Sequence, residues 1–512
     1  MLHLFHVALL GGNMVLSSYA KGWVRLPTSG PDNFNSSDPS ANLYYVNNIL
    51  LGTPPAPLYI HLDISSPSFT VNSESCMFCG DGNFFDSSLS TTFVSLNETV
   101  ESKLADAFGL TNTLRISSGQ DIFSFGGIRG SPSRPSALKL VDWIQGQFDG
   151  SATRGTPLVE IISNNNIPLS KAGFYVDIVN ATLRASHPLT ELYEQGLLQN
   201  PVVGFSLKTV GNESSITIGA LDQEDYIGEL NWVEAEIPQP DWELPTVIAI
   251  DAFGGISEGE VNGKIILYLN TSKHIIHVMT SFVSLELIGV FSAIMLPWKT
   301  HIDFPNLFVE PLTTHTIFHT SAVGEDMSEC GFFQAPGATN STSDTYFQKV
   351  WYPLRDVLPV VINGVTYNVD RDKNLALLQS SRDPSLCQSG LLFYNSTTSS
   401  VQGSLGLPFF RSAYVAYRFP TADCPKAFYG FAFQKGSNVS ASVIAQKPNS
   451  TPTSSAQCLQ FSTPTETPAL NIPPTLQASI GYNGKYKVFG KENAPEVQLI
   501  NAGELMAMDW PN

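Results

Sequence analysis

Leu50-Leu51-Gly52-Thr53-Pro54-Pro55, followed shortly by His61-Leu62-Asp63-Ile64-Ser65-Ser66-Pro67, is the stretch on which the reading of this chain turns. A Gly- and Pro-containing turn leads into an apolar strand that ends on a carboxylate. Outward from it, from about Leu43 to Lys447, short apolar runs are separated by clusters of Gly, Pro, Asn and Ser. Helical periodicity is scarce, so the chain reads as mostly β. Pro188 to Leu197 and Thr345 to Tyr352 are exceptions, each with the pattern of a short helix.

With 512 residues, 43% of them hydrophobic, the chain is long enough for two or more domains or lobes. Charged residues make up only 14%, against roughly 25% in an average domain. A formal net charge of −18 argues against nucleic acid or an anionic membrane surface as partner. Met1 to Ala20 reads as a secretory signal, with apolar segments Leu2–Leu10 and Met14–Leu16 and a small-x-small site at Ser18-Tyr19-Ala20. His3 and His6 stand where a positively charged region is usual. Nine Asn-x-Ser/Thr sequons, at Asn35, Asn97, Asn180, Asn212, Asn270, Asn340, Asn395, Asn438 and Asn449, and an even six cysteines agree with a secreted, extracellular or cell-surface glycoprotein.

The apolar run Val278–Trp298 is long enough to span a bilayer, but Glu286 near its middle costs about 2.5–3.5 kcal/mol there. It reads as a buried strand and helix of a lobe, so no membrane span is expected. Met508-Asp509-Trp510-Pro511-Asn512 offers no apolar tail for a lipid anchor. Pro448 to Pro473, rich in Ser, Thr, Pro and Gln, reads as a stalk or linker. Tyr482-Asn483-Gly484-Lys485-Tyr486 beyond it is a hairpin turn signal.

The opening stretch resembles that of a pepsin-like aspartic peptidase, in which a G-T-P-P turn precedes a strand ending in D-T-G-S. Further likenesses follow in order. Phe85-Asp86-Ser87-Ser88-Leu89-Ser90-Thr91-Thr92-Phe93 is similar to F-D-P-S-x-S-S-T-F. Gln195-Gly196-Leu197-Leu198-Gln199-Asn200-Pro201 with Phe205-Ser206-Leu207 is similar to Q-G-L-I-x-x-P…F-S-L. Ile218-Gly219-Ala220-Leu221-Asp222 and Tyr226-Ile227-Gly228-Glu229-Leu230 resemble F-G-G-x-D…Y-x-G-x-L. Leu405-Gly406, Phe409-Phe410-Arg411, Tyr414 and Tyr417 resemble L-G-x-x-F-L-R-x-x-Y-x-V-F-D, from which Ala416 and Arg418 depart. The resemblance implies two β lobes related by a pseudo-two-fold, with a central cleft. It divides the chain into a signal at 1–20, a short segment at 21–42, lobes at 43–235 and 236–447, and a linker and tail at 448–512. It also implies the disulfides Cys76–Cys79 and Cys330–Cys387, which leaves Cys424 with Cys458. Without a second C-x-x-C, Cys76 and Cys79 do not make a metal site, and no metal or cofactor is expected.

Aspartic peptidases work with two carboxylates about 3 Å apart that share one proton, so that acid and base coexist over one water. Asp63 falls on the first of these. The second is sought in Ile266-Leu267-Tyr268-Leu269-Asn270-Thr271-Ser272, similar to I-V-D-T-G-T-S, where Tyr268 replaces the aspartate. Asp251 is an alternative without the T-G that should follow it. The resemblance gives Ile64 and Leu269 for the two threonines that grip across the lobes, and Ser65 and Asn270 for the two glycines. A side chain at those glycine positions is expected to be costly or to shift the turn. Ser118, before Gly119, stands for the flap tyrosine, and Ala172-Gly173-Phe174-Tyr175-Val176 for the D-G-I-x-G turn. The cleft is thus expected at Ser65, Ser66, Ser118, Gly119, Asn270, Thr271 and Ser272, with Tyr268 filling its floor. An apolar contact of Ile64 with Leu269 is expected in place of the threonine grip. Between Ala20 and a first strand near Leu43 only Lys21 and Arg25 are basic, unlike the basic prosegment of the family's zymogens.

The leading expectation is a secreted, monomeric homologue without peptidase activity, its cleft kept for a peptide or protein. The alternatives are an active, atypical acid endopeptidase using Asp63, and a structural cell-surface glycoprotein. His274 and His277 come without a G-x-S-x-G elbow, so a nucleophilic triad is not supported.

Overall fold

A computed structural model describes residues 22–30, 44–77, 84–105, 111–146, 171–208, 213–239, 245–253, 264–269, 276–280, 315–322, 330–334, 349–351, 357–370, 378–379, 386–395, 403–437, 439–450, 452, 457–462 and 464. The leader at 1–20, the hairpin signal at 482–486 and Asn270-Thr271-Ser272 lie outside them.

Regular structure begins earlier than expected. Val24–Ser29 is a strand, pairing antiparallel with Ser215–Ile218 and, at its end, with Tyr45–Leu51. Val24 and Leu26 are fully buried, so alternate side chains of this short segment enter the core. Arg25, on the other face, donates to Asp222 at 2.6 Å and to Asp225 at 3.0 and 2.9 Å, tying the strand to a distant turn. Part of the segment expected to precede the lobes therefore belongs to the body of the protein.

Tyr45–Leu51 turns through Gly52-Thr53-Pro54-Pro55 into Ala56–Asp63. Gly52 adopts φ +83°, and a Cβ on it would meet Ser90 Oγ at 2.8 Å, which explains the glycine. Beyond the turn the chain repeats one device in both halves. The strand ending at Asp63 pairs in parallel with Lys171–Gly173, which lies between it and Thr70–Met77. In the second half Ile265–Leu269 pairs in parallel with Gly403–Leu405, which lies between it and Ile276–Thr280. In each case the inserted strand arrives from far along the chain, the internal likeness expected of two lobes related by a pseudo-two-fold.

Strands of both halves merge in a six-strand antiparallel run, in the order Tyr226–Glu234, Phe428–Gln434, Ala413–Arg418, Val202–Ser206, Ser215–Ile218, Val24–Ser29. Ala413–Arg418, Phe428–Gln434 and Val202–Ser206 are buried at every position. Covered on both faces, they read in sequence as near-continuous apolar runs rather than alternating ones. Arg411 Nε donates to Tyr44 Oη at 3.0 Å, and Tyr417 Oη accepts from Val176 N and donates to Val176 O, both at 3.2 Å. These contacts join residues of the two expected lobes.

Pro188–Glu194 is helical, as its pattern predicts. Within Thr345–Tyr352 the described residues, Lys349–Trp351, are instead a strand on the edge of Cys330–Gln334. The local pattern is too short to hold a helix alone, and pairing with a sheet edge prevails. Within the apolar run Val278–Trp298, the described residues belong to the strand Ile276–Thr280. Among the described residues no helix is long and apolar enough to cross a membrane.

Part of the expected linker is docked. Cys458 is disulfide-bonded to Cys424, and Ser462 N and Oγ donate to Asn200 Oδ1 at 2.9 and 3.0 Å. Phe461 lies 5.4 Å from Trp232, centroid to centroid. The Cys424–Cys458 bond is the pairing expected from the sequence; composition missed the contacts around it because residues far along the chain make them.

Candidate functional site

Asp63 closes its strand with a carboxylate only 2% exposed. Ser65 donates to its Oδ1 twice, from the backbone N at 2.9 Å and from Oγ at 2.6 Å. The serine expected to be costly in place of glycine instead replaces it well: its φ is not left-handed, and its hydroxyl adds a hydrogen bond. Ser66, half-buried, turns inward on its own loop, donating to Ser68 O at 3.1 Å.

The other oxygen, Oδ2, accepts from Lys171 Nζ at 3.0 Å. Parallel pairing sets Lys171 opposite His61 and Gly173 opposite Asp63, so the inserted strand itself delivers the ammonium. Burial pushes the Asp63 carboxyl up, but the charge of Lys171, then His61 and the Ser65 hydrogen bond, outweigh it. They hold the group well below the usual carboxylate range. The partner at Oδ2 is thus an ammonium, not a carboxyl that could share a proton with Asp63. Sequence reasoning missed Lys171. The one available signal was a lysine immediately before Ala172-Gly173, the segment aligned with the inserted strand.

Gly173 is where the chain can come so close. A Cβ on it would sit 2.2 Å from Ser68 O and 2.6 Å from Ser66 O. Its carbonyl bonds His187 Nε2 at 3.0 Å, while His187 Nδ1 accepts from Leu189 N at 3.2 Å. Nε2 therefore carries the proton, and the ring caps the helix Pro188–Glu194. Burial pushes His187 down to about 4, so it is neutral near pH 7.

Tyr268 is 1% exposed near the end of Ile265–Leu269, opposite Val247 and Ser404. Thr246 Oγ1 donates to the carbonyl of Leu269 at 2.6 Å and fixes this strand end. Ile64 and Leu269 are both fully buried in one apolar cluster. Asp251 is engaged elsewhere: it pairs with Lys264 and accepts from Gly364 N at 2.7 Å. Ser118 lies within Thr111–Asp121, opposite Glu98 on one side and Lys139 on the other. It has a place inside a ladder, not at a hairpin tip. A Cβ on Gly119 would meet the Phe93 ring at 2.5 Å. Cys76 is disulfide-bonded and Cys79 lies outside the described residues. Cys330 and Cys387 lie on the two strands flanking His315–Ala322.

A mostly-β chain with a repeated strand-insertion device, and an aspartate at the end of one such strand, agrees with the two-lobed β architecture that the sequence resemblance implies. No family model matches the chain. Curated relatives do: it is 26% identical over 210 residues to pregnancy-associated glycoprotein 1 of Ovis aries, covering 40% of this chain and 48% of that protein. To the Sus scrofa protein of the same name it is 28% identical over 199 residues, 38% of this chain and 44% of the other. To chymosin of Bos taurus it is 27% identical over 236 residues, 45% and 54% respectively. The chain is thus similar to these proteins over part of its length, and it spans about half the length of the curated relatives it matches. The crystal structure of an aspartic proteinase from Irpex lacteus aligns over 81% of this chain and 99% of its own, with 12% identity and a TM-score of 0.49.

Proposed function

We propose that this chain is a secreted pepsin-like homologue without peptidase activity, its cleft kept to bind a peptide or protein. The observation that carries the reading is the bond from Lys171 to Asp63. A water-activating dyad needs one carboxyl protonated and one ionised at the same pH. An ammonium on Asp63 keeps that carboxylate ionised and weakens it as a base, so it serves neither half of the cycle. Tyr268, in the expected second position, offers a phenol where the dyad needs its second carboxyl.

The test is cleavage of a peptide library by the full chain across acidic pH, read by mass spectrometry, with Asp63→Asn as control. No cleavage, or cleavage that survives the substitution, is the expected result. Cleavage abolished by Asp63→Asn overturns the proposal, because Asp63 then has a working partner. Retention of peptides from the same library on the immobilised chain tests the binding half of the reading.

A further inference from the structure

Among the described residues, Val94–Ala105 pairs on one side only, with Thr111–Asp121, and ends the large sheet. This edge is long, and beside the exposed Glu98 and Glu101 it presents apolar side chains. Val94, Leu96 and Val100 are 49%, 41% and 58% exposed, and Leu89 just before the strand is 63% exposed. Only Val179, Leu183 and Ile237 among the described residues are comparable, and they lie elsewhere in the sequence. A free edge of this kind is a template for pairing with another chain unless something blunts it.

A sequon lies in its middle. Ser95 pairs with Gly119 and Glu98 with Ser118, so Leu96 and Asn97 bulge out of the ladder. Asn97 takes φ +54°, a conformation asparagine tolerates, and Asn97, Glu98 and Thr99 are all exposed. Ser95 Oγ bonds the carbonyl side of the Asn97 amide, Oδ1, at 3.4 Å, and not the Nδ2 to which a sugar attaches. By contrast, Asn180 caps the helix Ala181–Ser186, and Asn449 packs against Gly364.

We propose that Asn97 carries an N-linked glycan that shields this edge strand from pairing with another chain; the inference rests on the secretory part of the proposed function. In the transfer, Asn97 Nδ2 bonds to the anomeric carbon of a lipid-pyrophosphate-linked oligosaccharide. The carbon–oxygen bond to pyrophosphate breaks, the lipid pyrophosphate leaves with the electron pair, and the amide releases one proton to solvent. A bulky, hydrated group at the bulge covers the apolar positions on either side of it.

The full chain is expressed through a eukaryotic secretory pathway, and occupancy at Asn97, Asn180 and Asn449 is read by mass spectrometry after glycosidase treatment in heavy-oxygen water. Occupied Asn97 is expected. Occupancy at the other sequons with Asn97 bare overturns the glycan; no occupancy at any of the three overturns the secretory reading along with it. Thr99→Ala removes the sequon and leaves the Asn97 backbone untouched, whereas Thr99→Ser keeps the sequon with a similar loss of β-branching. Light scattering on size-exclusion fractions is expected to show Thr99→Ser at the monomer mass and Thr99→Ala at twice that mass or more. Adding Val100→Lys to Thr99→Ala is expected to restore the monomer. A monomeric Thr99→Ala, or association that Val100→Lys fails to reverse, overturns the shielding role.

Discussion

Replacing Lys171 with methionine keeps most of the side chain's length and removes the ammonium bonded to Asp63. The carboxylate, 2% exposed, would then keep Ser65 as its hydrogen-bond donor and lose its closest positive charge. Burial is the largest influence on this group and acts upward. With Lys171 gone only His61 and Ser65 oppose it, and the folded-state pKa is expected to move from below to above its unfolded value. Breaking a buried pair costs about 3–5 kcal/mol. Lys171 retains 27% side-chain exposure, so solvent screening puts the expected loss at the low end, about 3 kcal/mol at pH 7. The sign of the pH dependence reverses as well. In the native chain the Asp63 contribution is complete above the unfolded value of ~4 and is lost as pH falls through the lower folded value. In Lys171→Met the protonated form is favoured, so stability is lost as pH rises through ~4 and the variant approaches the native chain in acid. Urea unfolding at pH 7 and pH 4, followed by both circular dichroism and tryptophan fluorescence, measures this. A loss under about 1 kcal/mol at pH 7, no larger than an exposed pair is worth, with no narrowing of the gap at pH 4 would refute the argument.

His187, pushed down to about 4 by burial, contributes stability that is present above ~6.5 and lost as pH falls toward the folded value, a loss of about 3 kcal/mol. His187→Asn keeps a capping side chain, so its urea midpoint should start lower and vary less between pH 6.5 and 4. Reducing the Cys424–Cys458 bond, which closes a loop with a sequence separation of 34, should cost about 3–4 kcal/mol in the chain-entropy account. It should also free Phe461 from Trp232, read as a red shift in tryptophan emission. Gly173→Ala, whose methyl would collide with two backbone carbonyls, should abolish soluble expression. A soluble variant with unchanged unfolding would show that the inserted strand is not held as described.

What was legible in the sequence is what depends on local pattern. Short apolar runs between turn formers announced a mostly-β chain, and Pro188–Glu194 announced its helix. Asp63 could be placed at a strand end because the turn and the strand before it are contiguous in sequence. The docking of Ser462 was missed for the opposite reason, since Asn200 and Ser462 meet only after both segments are folded. The same holds for Lys349–Trp351, where a neighbouring strand decided a conformation that its own residues left open.

By itself, then, the sequence determined the mostly-β architecture and the place of Asp63 at a strand end. Only the tertiary structure decided what surrounds Asp63. A strand that follows it by 108 positions slots in parallel beside it and brings Lys171 to 3.0 Å. Periodicity reports which face of a segment is buried, but not which distant segment will cover it. An ion pair depends on that second choice, and so does the chemistry of this site.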